Sequence, residues 1–266
     1  MGTLMAQQDY LHELFGLHGQ SAVVIGGTGV LGGALCEGLA RAGAAVVVAG
    51  RSVERGRQRA AAIAALGGQA LFAEVDATSR ESIQRLLEEV LRHHRHVDML
   101  VNCAGVNAAS SYFEVTDEDW DRVFTSNLKS VHWACQIFGR QMVSQPEGGA
   151  ILNVASVTAH LPLSRVFAYS ASKAAVENLT KNVARELAPH RVRVNALCPG
   201  FFPAEQNRAI LDEQRVRAIM SQTPMARFGE PQELVGAALL LLSRRAGSFI
   251  TGASYYVDGG FTAMRF

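Results

Sequence analysis

Ser21-Ala22-Val23-Val24-Ile25-Gly26-Gly27-Thr28-Gly29-Val30-Leu31-Gly32-Gly33 is the stretch that decides the fold. Residues 21–25 form an apolar run too short for a helix and suited to a strand buried on both faces. Gly26-Gly27 closes that strand, and Leu31 to Ala42 continues with helical character up to Gly43, a cap signal. A glycine-rich turn in this place lets backbone amides approach a pyrophosphate closely, and the helix N-terminus beyond adds a favourable dipole. Alone, such a turn is equally a tight connection with no ligand.

The same alternation runs outward along the chain. Further strands are predicted at 44–49, 70–75, 97–102, 151–155, 193–197 and 254–257, and helices at 53–66, 79–94, 117–142, 167–187 and 231–243. After Pro199-Gly200 the rhythm breaks, and 203–223 reads as an inserted, largely helical segment, giving a substrate lid at about 201–225. Continuous apolar strands separated by helices imply an α/β protein whose parallel sheet of about seven strands is covered on both faces, in three layers. With 266 residues and no linker, repeat or low-complexity tract, residues 1–266 read as a single domain.

Composition narrows the function classes. There are 25 basic and 24 acidic side chains and no basic stripe, so nucleic acid is not expected as a partner. Cys36, Cys103, Cys135 and Cys198 have neither metal-ligand spacing nor a C-x-x-C pair, and read as buried, reduced thiols. Arg92-His93-His94-Arg95-His96 reads as a cationic helix end, so no metal is expected. The first 19 residues lack the pattern of a secretory leader, and the longest apolar run, Leu234 to Leu242, is too short for a bilayer. A cytoplasmic protein without membrane association is the expectation.

Tyr169-Ser170-Ala171-Ser172-Lys173 carries the chemistry. Four residues apart on a helix, Tyr169 and Lys173 share a face, with Cβ atoms about 5–6 Å apart. An ammonium about 5 Å from a phenolate, at an effective dielectric near 20, favours the ionised phenol by roughly 3 kcal/mol, or about two pK units. That brings Tyr169 within reach of general acid/base work. Near the carboxyl ends of the strands, where ligands of open α/β sheets bind, stand Asp76, Asn102-Cys103-Ala104-Gly105, Ser156 and Pro199-Gly200. At the end of the second strand Gly50-Arg51 replaces the carboxylate that NAD sites offer to ribose hydroxyls. A guanidinium there suits a 2′-phosphate, so NADP(H) is expected to be preferred with NAD(H) possible, a surface cation being the competing reading of Arg51.

These marks, in order and at these spacings, together with Asn127 in Ser126-Asn127-Leu128-Lys129 and Val257-Asp258-Gly259-Gly260, resemble the short-chain dehydrogenase/reductase family from about Leu17 to Gly260. The resemblance implies a Rossmann-type doubly wound fold and a catalytic tetrad. In it Tyr169 is general acid or base, Lys173 lowers its pKa and holds the nicotinamide ribose, Ser156 positions the reacting oxygen, and Asn127 anchors a water linked to Lys173. It further implies cofactor contacts from Gly26, Thr28, Gly29, Val30, Leu31, Arg51, Asp76, Ala77, Asn102, Ala104, Gly105, Tyr169, Lys173, Pro199 and Gly200, with Asn102 also stabilising the central strands. Departures from the family pattern are Ile25 for Thr, Val30 for Gly, Cys103 for Asn and Ala204 for Thr.

The stretches 199–208 and 223–231 resemble the branch that includes fructuronate reductases (D-mannonate oxidoreductases), with gluconate 5-dehydrogenases next. A keto/hydroxy sugar acid is the substrate this implies, with Phe202, Gln206, Asn207 and Arg208 as contacts. A 3-oxoacyl thioester reductase and a catalytically silent cofactor-binding protein are the alternatives. Family members are commonly tetramers, so a homotetramer is expected, with the apolar 234–242 face among its contacts.

Overall fold

The computed structural model describes residues 10–202 and 213–263. Seven strands form one parallel sheet: β1 (Ser21–Ile25), β2 (Ala45–Gly50), β3 (Gln69–Glu74), β4 (Met99–Asn102), β5 (Gly149–Val154), β6 (Val192–Pro199) and β7 (Ser254–Val257). Their spatial order is β3-β2-β1-β4-β5-β6-β7. The order reverses between β1 and β4, which pair from Ala22 with Met99 to Ile25 with Asn102. A crevice opens at such a switch point beyond the carboxyl ends of the strands.

Helices cover both faces: α1 (Val30–Arg41), α2 (Val53–Ala65), α3 (Arg80–His93), α4 (Asp117–Phe124), α5 (Ser130–Val143), α6 (Phe167–Leu187), α7 (Glu213–Gln222) and α8 (Val235–Leu242). Side-chain oxygens of Ser52, Ser79 and Thr116 accept from main-chain amides of the first turns of α2, α3 and α4, satisfying donors that a helix start leaves unpaired. One core joins Ile83, Leu86, Val131, Phe138 and Val176 to one face of the sheet, and a second joins Leu35, Leu39, Leu234 and Leu241 to the other. The three-layer architecture thus agrees with expectation, and strand boundaries differ from it by one or two residues.

Two elements depart from the sequence reading. The single helix expected over 117–142 is broken by a wide π turn at Thr125–Lys129, with Asn127 buried at its centre. Leu234, Ala238, Leu241 and Leu242 lie in this chain's own core, so much of the apolar 234–242 face is already covered.

Beneath the crevice lies a buried polar chain. Asn102 Nδ2 donates to Asn153 Oδ1 at 2.8 Å, and Asn153 Nδ2 donates to Thr180 Oγ1 at 2.9 Å, tying β4, β5 and α6. Replacing Asn153 by Leu keeps the branched outline of the side chain but removes a hydrogen-bond partner from Asn102 and from Thr180. Each buried group left unsatisfied costs about 1–3 kcal/mol, so a loss of about 2–4 kcal/mol is expected. A lower urea midpoint at constant slope is the readout; an unchanged midpoint would show that the network adds nothing net.

Candidate active site

The turn after β1 starts the site. Gly26 has φ +93°, and a Cβ there would stand 2.6 Å from the Ala104 nitrogen, so glycine is what lets the end of β1 lie against the loop after β4. Gly32 likewise has no room for a Cβ beside the Gly26 carbonyl, which sets α1 tightly on the turn. Gly26, Thr28, Gly29, Val30 and Leu31 line one side of a cavity of about 590 Å³, within the range of small-molecule and cofactor sites. A nicotinamide dinucleotide fits this setting: a glycine-built turn gives phosphates access to backbone, and the cavity continues in both directions from it.

In one direction it runs over the ends of β2 and β3. Gly50 leaves space that the Thr28 side chain fills, and Arg51, Arg55 and Arg59 all line the wall. Arg51 is exposed, whereas Arg59 is ion-paired with Glu37. Asp76 and Ala77 lie on the same wall. The Thr78 hydroxyl and amide donate to Asp76 Oδ1 at 2.7 and 2.9 Å, holding its carboxyl below the usual carboxylate range, with the Arg51 charge adding to the effect.

In the other direction the cavity reaches Cys103, Ala104, Gly105, Ser156, Tyr169, Lys173, Pro199 and Gly200. The Lys173 ammonium sits 5.6 Å from the centre of the Tyr169 ring and donates to the Val154 carbonyl at 2.7 Å. Burial draws the Lys173 pKa down to about 8, against a small opposing effect of Cys103 and Cys198. Burial also holds the Tyr169 phenol above its ordinary value, while its hydrogen bond with Ser156 works the other way. The depression predicted from the Tyr169–Lys173 spacing is therefore not present in the chain alone. Loss of solvation outweighs the effect of Ser156, and the Lys173 ammonium faces a main-chain carbonyl.

Asn127 stands behind this centre rather than on the cavity wall. Its Oδ1 accepts from the Val106 amide at 2.8 Å, and its Nδ2 donates to the Val106 carbonyl and to Ser172 Oγ, each at 3.0 Å. A Cβ on Gly105 would lie 3.1 Å from Asn127 Oδ1 and 3.7 Å from Lys173 Nζ, so glycine lets the three meet. Asn127 thus ties the loop after β4 to α6.

Other sequence-predicted residues divide. The Asn102 side chain is turned away from the cavity into the Asn153 network, in keeping with its expected part in stabilising the central strands. Cys103 is half-buried and does line the cavity, unlike the three other thiols, and burial pushes its pKa up to about 11. Phe202 lines the cavity while packing into the core. Ala204, Gln206, Asn207 and Arg208 lie outside the described residues. Asp258 holds the Gly260 and Thr262 amides and so shapes the turn that backs Gly200.

Three charged cavity residues escaped the sequence reading. Arg55 and Arg59 follow Arg51 at intervals of four, a helical spacing that would have placed them beside it. Arg215 belongs to α7 and meets the cavity only through the tertiary fold.

A glycine-walled groove that leads from an arginine-rich end to paired hydroxyls beside a buried ammonium is the working surface of a nicotinamide-dependent oxidoreductase. A family profile described as enoyl-(acyl carrier protein) reductase matches residues 29–262. An uncharacterised oxidoreductase of Bacillus subtilis is 36% identical, with 95% of this chain and 98% of that protein covered. Gluconate 5-dehydrogenase of Gluconobacter oxydans is also 36% identical, with 94% and 97% covered. The crystal structure of a gluconate 5-dehydrogenase from Burkholderia cenocepacia in complex with NADP and tartrate matches with a TM-score of 0.91 at 32% identity, covering 96% of this chain and 100% of that one.

The chain belongs to the short-chain dehydrogenase/reductase family, and it is an NAD(P)-dependent oxidoreductase acting on a carbonyl/hydroxyl pair. Among the described residues, no helix is long and apolar enough to cross a membrane, and no group of side chains could hold a metal ion.

Proposed function

We propose that the protein is an NADP(H)-preferring reductase/dehydrogenase of keto/hydroxy sugar acids, with fructuronate and 5-ketogluconate as the substrates to try first. The observation that carries the cofactor half is the Arg51, Arg55 and Arg59 wall at one end of the cavity. The substrate half is supported by the sugar-acid names of the relatives and by the tartrate bound in the Burkholderia enzyme.

When bound, the cofactor supplies hydride in reduction and accepts it in oxidation. In reduction the Ser156 hydroxyl donates to the ketone oxygen and polarises it. Tyr169 transfers its phenolic proton to that oxygen as the carbon gains hydride, so that C=O becomes CH–OH and a phenolate remains. The Lys173 ammonium, beside the ring, stabilises that phenolate and lies near enough to the cavity wall to hold a ribose hydroxyl. Oxidation reverses each transfer. Asn127 keeps Gly105, Val106 and Ser172 in register around Lys173. A lid over about 201–225 and a homotetramer belong to the same proposal. Tyr112, Phe113 and Phe249 are exposed aromatic side chains available to subunit contacts.

Leu163, Val166, Phe201 and Phe228 give the cavity an apolar wall, which favours a 3-oxoacyl thioester as the second reading. Purified protein assayed with NADPH and NADH against keto sugar acids, neutral ketoses and 3-oxoacyl thioesters separates the two. A kcat/KM at least about tenfold higher for a keto sugar acid than for any thioester is expected. Faster turnover of the thioesters, or none on the whole panel, would reject the sugar-acid reading.

A further inference from the structure

Around the catalytic hydroxyls much of the cavity wall is apolar, with Val106, Val157, Leu163, Val166 and Phe228. Asn107 and Thr158 interrupt it with uncharged polar side chains, and the proton transfer uses neither.

Chain connectivity sets Asn107 close to the reacting centre. It lies two positions after Gly105, where an added Cβ would stand 3.7 Å from Lys173 Nζ, and directly after Val106, whose amide and carbonyl are both held by Asn127. Three residues further on, the Ser110 amide donates to the Arg165 carbonyl at 3.0 Å, joining this loop to the one between Ser156 and Tyr169. Asn107 therefore stands on a stretch pinned on both sides.

Its side chain is only half paired. Oδ1 accepts from the Ala108 amide at 2.8 Å, which fixes the carboxamide and identifies its oxygen. Nδ2 has no hydrogen-bond partner among the described residues, so a half-buried side chain of the cavity wall keeps its N–H donors for an oxygen of the ligand. Thr158 points to the same kind of ligand from the neighbouring loop. Its amide donates to Ser156 Oγ at 3.2 Å, and its own buried hydroxyl has no partner among the described residues. A purely aliphatic ketone would bury both groups unpaired, which is costly.

We infer that Asn107 is a specificity-determining residue that donates to a hydroxyl oxygen beside the reacting carbonyl, selecting hydroxylated keto acids over their deoxygenated counterparts. This rests on the sugar-acid reading and names a residue through which it operates. It also sets the substrate apart from a 3-oxoacyl thioester, whose ketone is flanked by methylene groups.

The test uses the full-length enzyme with NADPH, and compares wild type with Asn107→Asp and Asn107→Leu on 5-keto-D-gluconate. The control is 5-oxohexanoate, which has the same six carbons, the same ketone and carboxylate positions and no hydroxyl group; its apparent affinity is read as KM or, without turnover, as the Ki of a competitive inhibitor. Asn107→Asp keeps the acceptor for the Ala108 amide and adds a charge, whereas Asn107→Leu adds no charge and loses the acceptor, so the N–H donors are what both variants lack. In both, kcat/KM for 5-keto-D-gluconate should fall at least about fivefold, the loss of one hydrogen bond, while the affinity for 5-oxohexanoate and KM for NADPH stay within about twofold of wild type. Equal losses on the two keto acids would mark Asn107 as a loop brace and overturn the inference, as would a loss in only one variant or in neither. If the wild type reduces no keto sugar acid, the sugar-acid reading and the role of Asn107 fall together. If it reduces them and the variants keep its preference for the hydroxylated acid, only the role of Asn107 falls.

Discussion

Replacing Tyr169 by Phe is expected to lower kcat by about 10²–10⁴-fold, the range attributable to a positioned general acid or base. The fold and the NADPH site should survive, because the substitution removes one hydroxyl at the cavity surface and leaves the ring in place. The pH dependence gives a second readout. Oxidation needs the phenolate, so its rate should climb with pH. Reduction needs the phenol, so its rate should stay level through neutrality and fall only at higher pH.

In the chain alone, burial keeps Tyr169 above its ordinary pKa, and Lys173 stays predominantly protonated below about 8. Measuring kcat for oxidation reports the same groups in the ternary complex, where the bound state differs from the empty one. The Phe variant should lose that pH dependence. Retention of more than about a tenth of the activity, or of the wild-type pH profile, would remove Tyr169 from the proton transfer.

The route from sequence to this centre was short where physics is local. Apolar runs of strand length, each followed by a helical stretch, require a parallel sheet with both faces covered, and the glycines of 26–32 fit a turn where added Cβ atoms would collide. The Tyr169–Lys173 pairing follows from helix geometry alone, and the structure places the ammonium beside the ring. The direction of the Tyr169 pKa did not follow, because desolvation depends on everything packed around the phenol. The π turn at Thr125–Lys129 was hidden for a similar reason. Its residues are compatible with a regular helix, and what accompanies the widening is Asn127 bonding to Val106 and Ser172, respectively 21 and 45 positions away. From its place at the end of β4, Asn102 is expected both to contact the cofactor and to stabilise the central strands. Only the register of β4 against β5 reveals that it faces Asn153.

Cofactor choice offers the second large effect. Arg51→Ala combined with Arg55→Ala should raise KM for NADPH by about 10–100-fold while KM for NADH changes by less than about threefold. Charge-assisted hydrogen bonds to phosphate are each worth about 1.5–3 kcal/mol, and the exposure of Arg51 keeps the expected value at the lower end of that range. Arg59 is left in place because its guanidinium is paired with Glu37 and packs against Gly33, so its loss would disturb the contact between α1 and α2 as well as the charge. Salt gives an independent check. Raising ionic strength should weaken NADPH more than NADH in the wild type, and the double variant should lose the difference. If both substitutions shift the two cofactors equally, the arginines support the wall rather than read a 2′-phosphate. The absence of an acidic residue at Gly50-Arg51 would then concern the local fit of Thr28, whose side chain occupies the space that a Cβ at Gly50 would need.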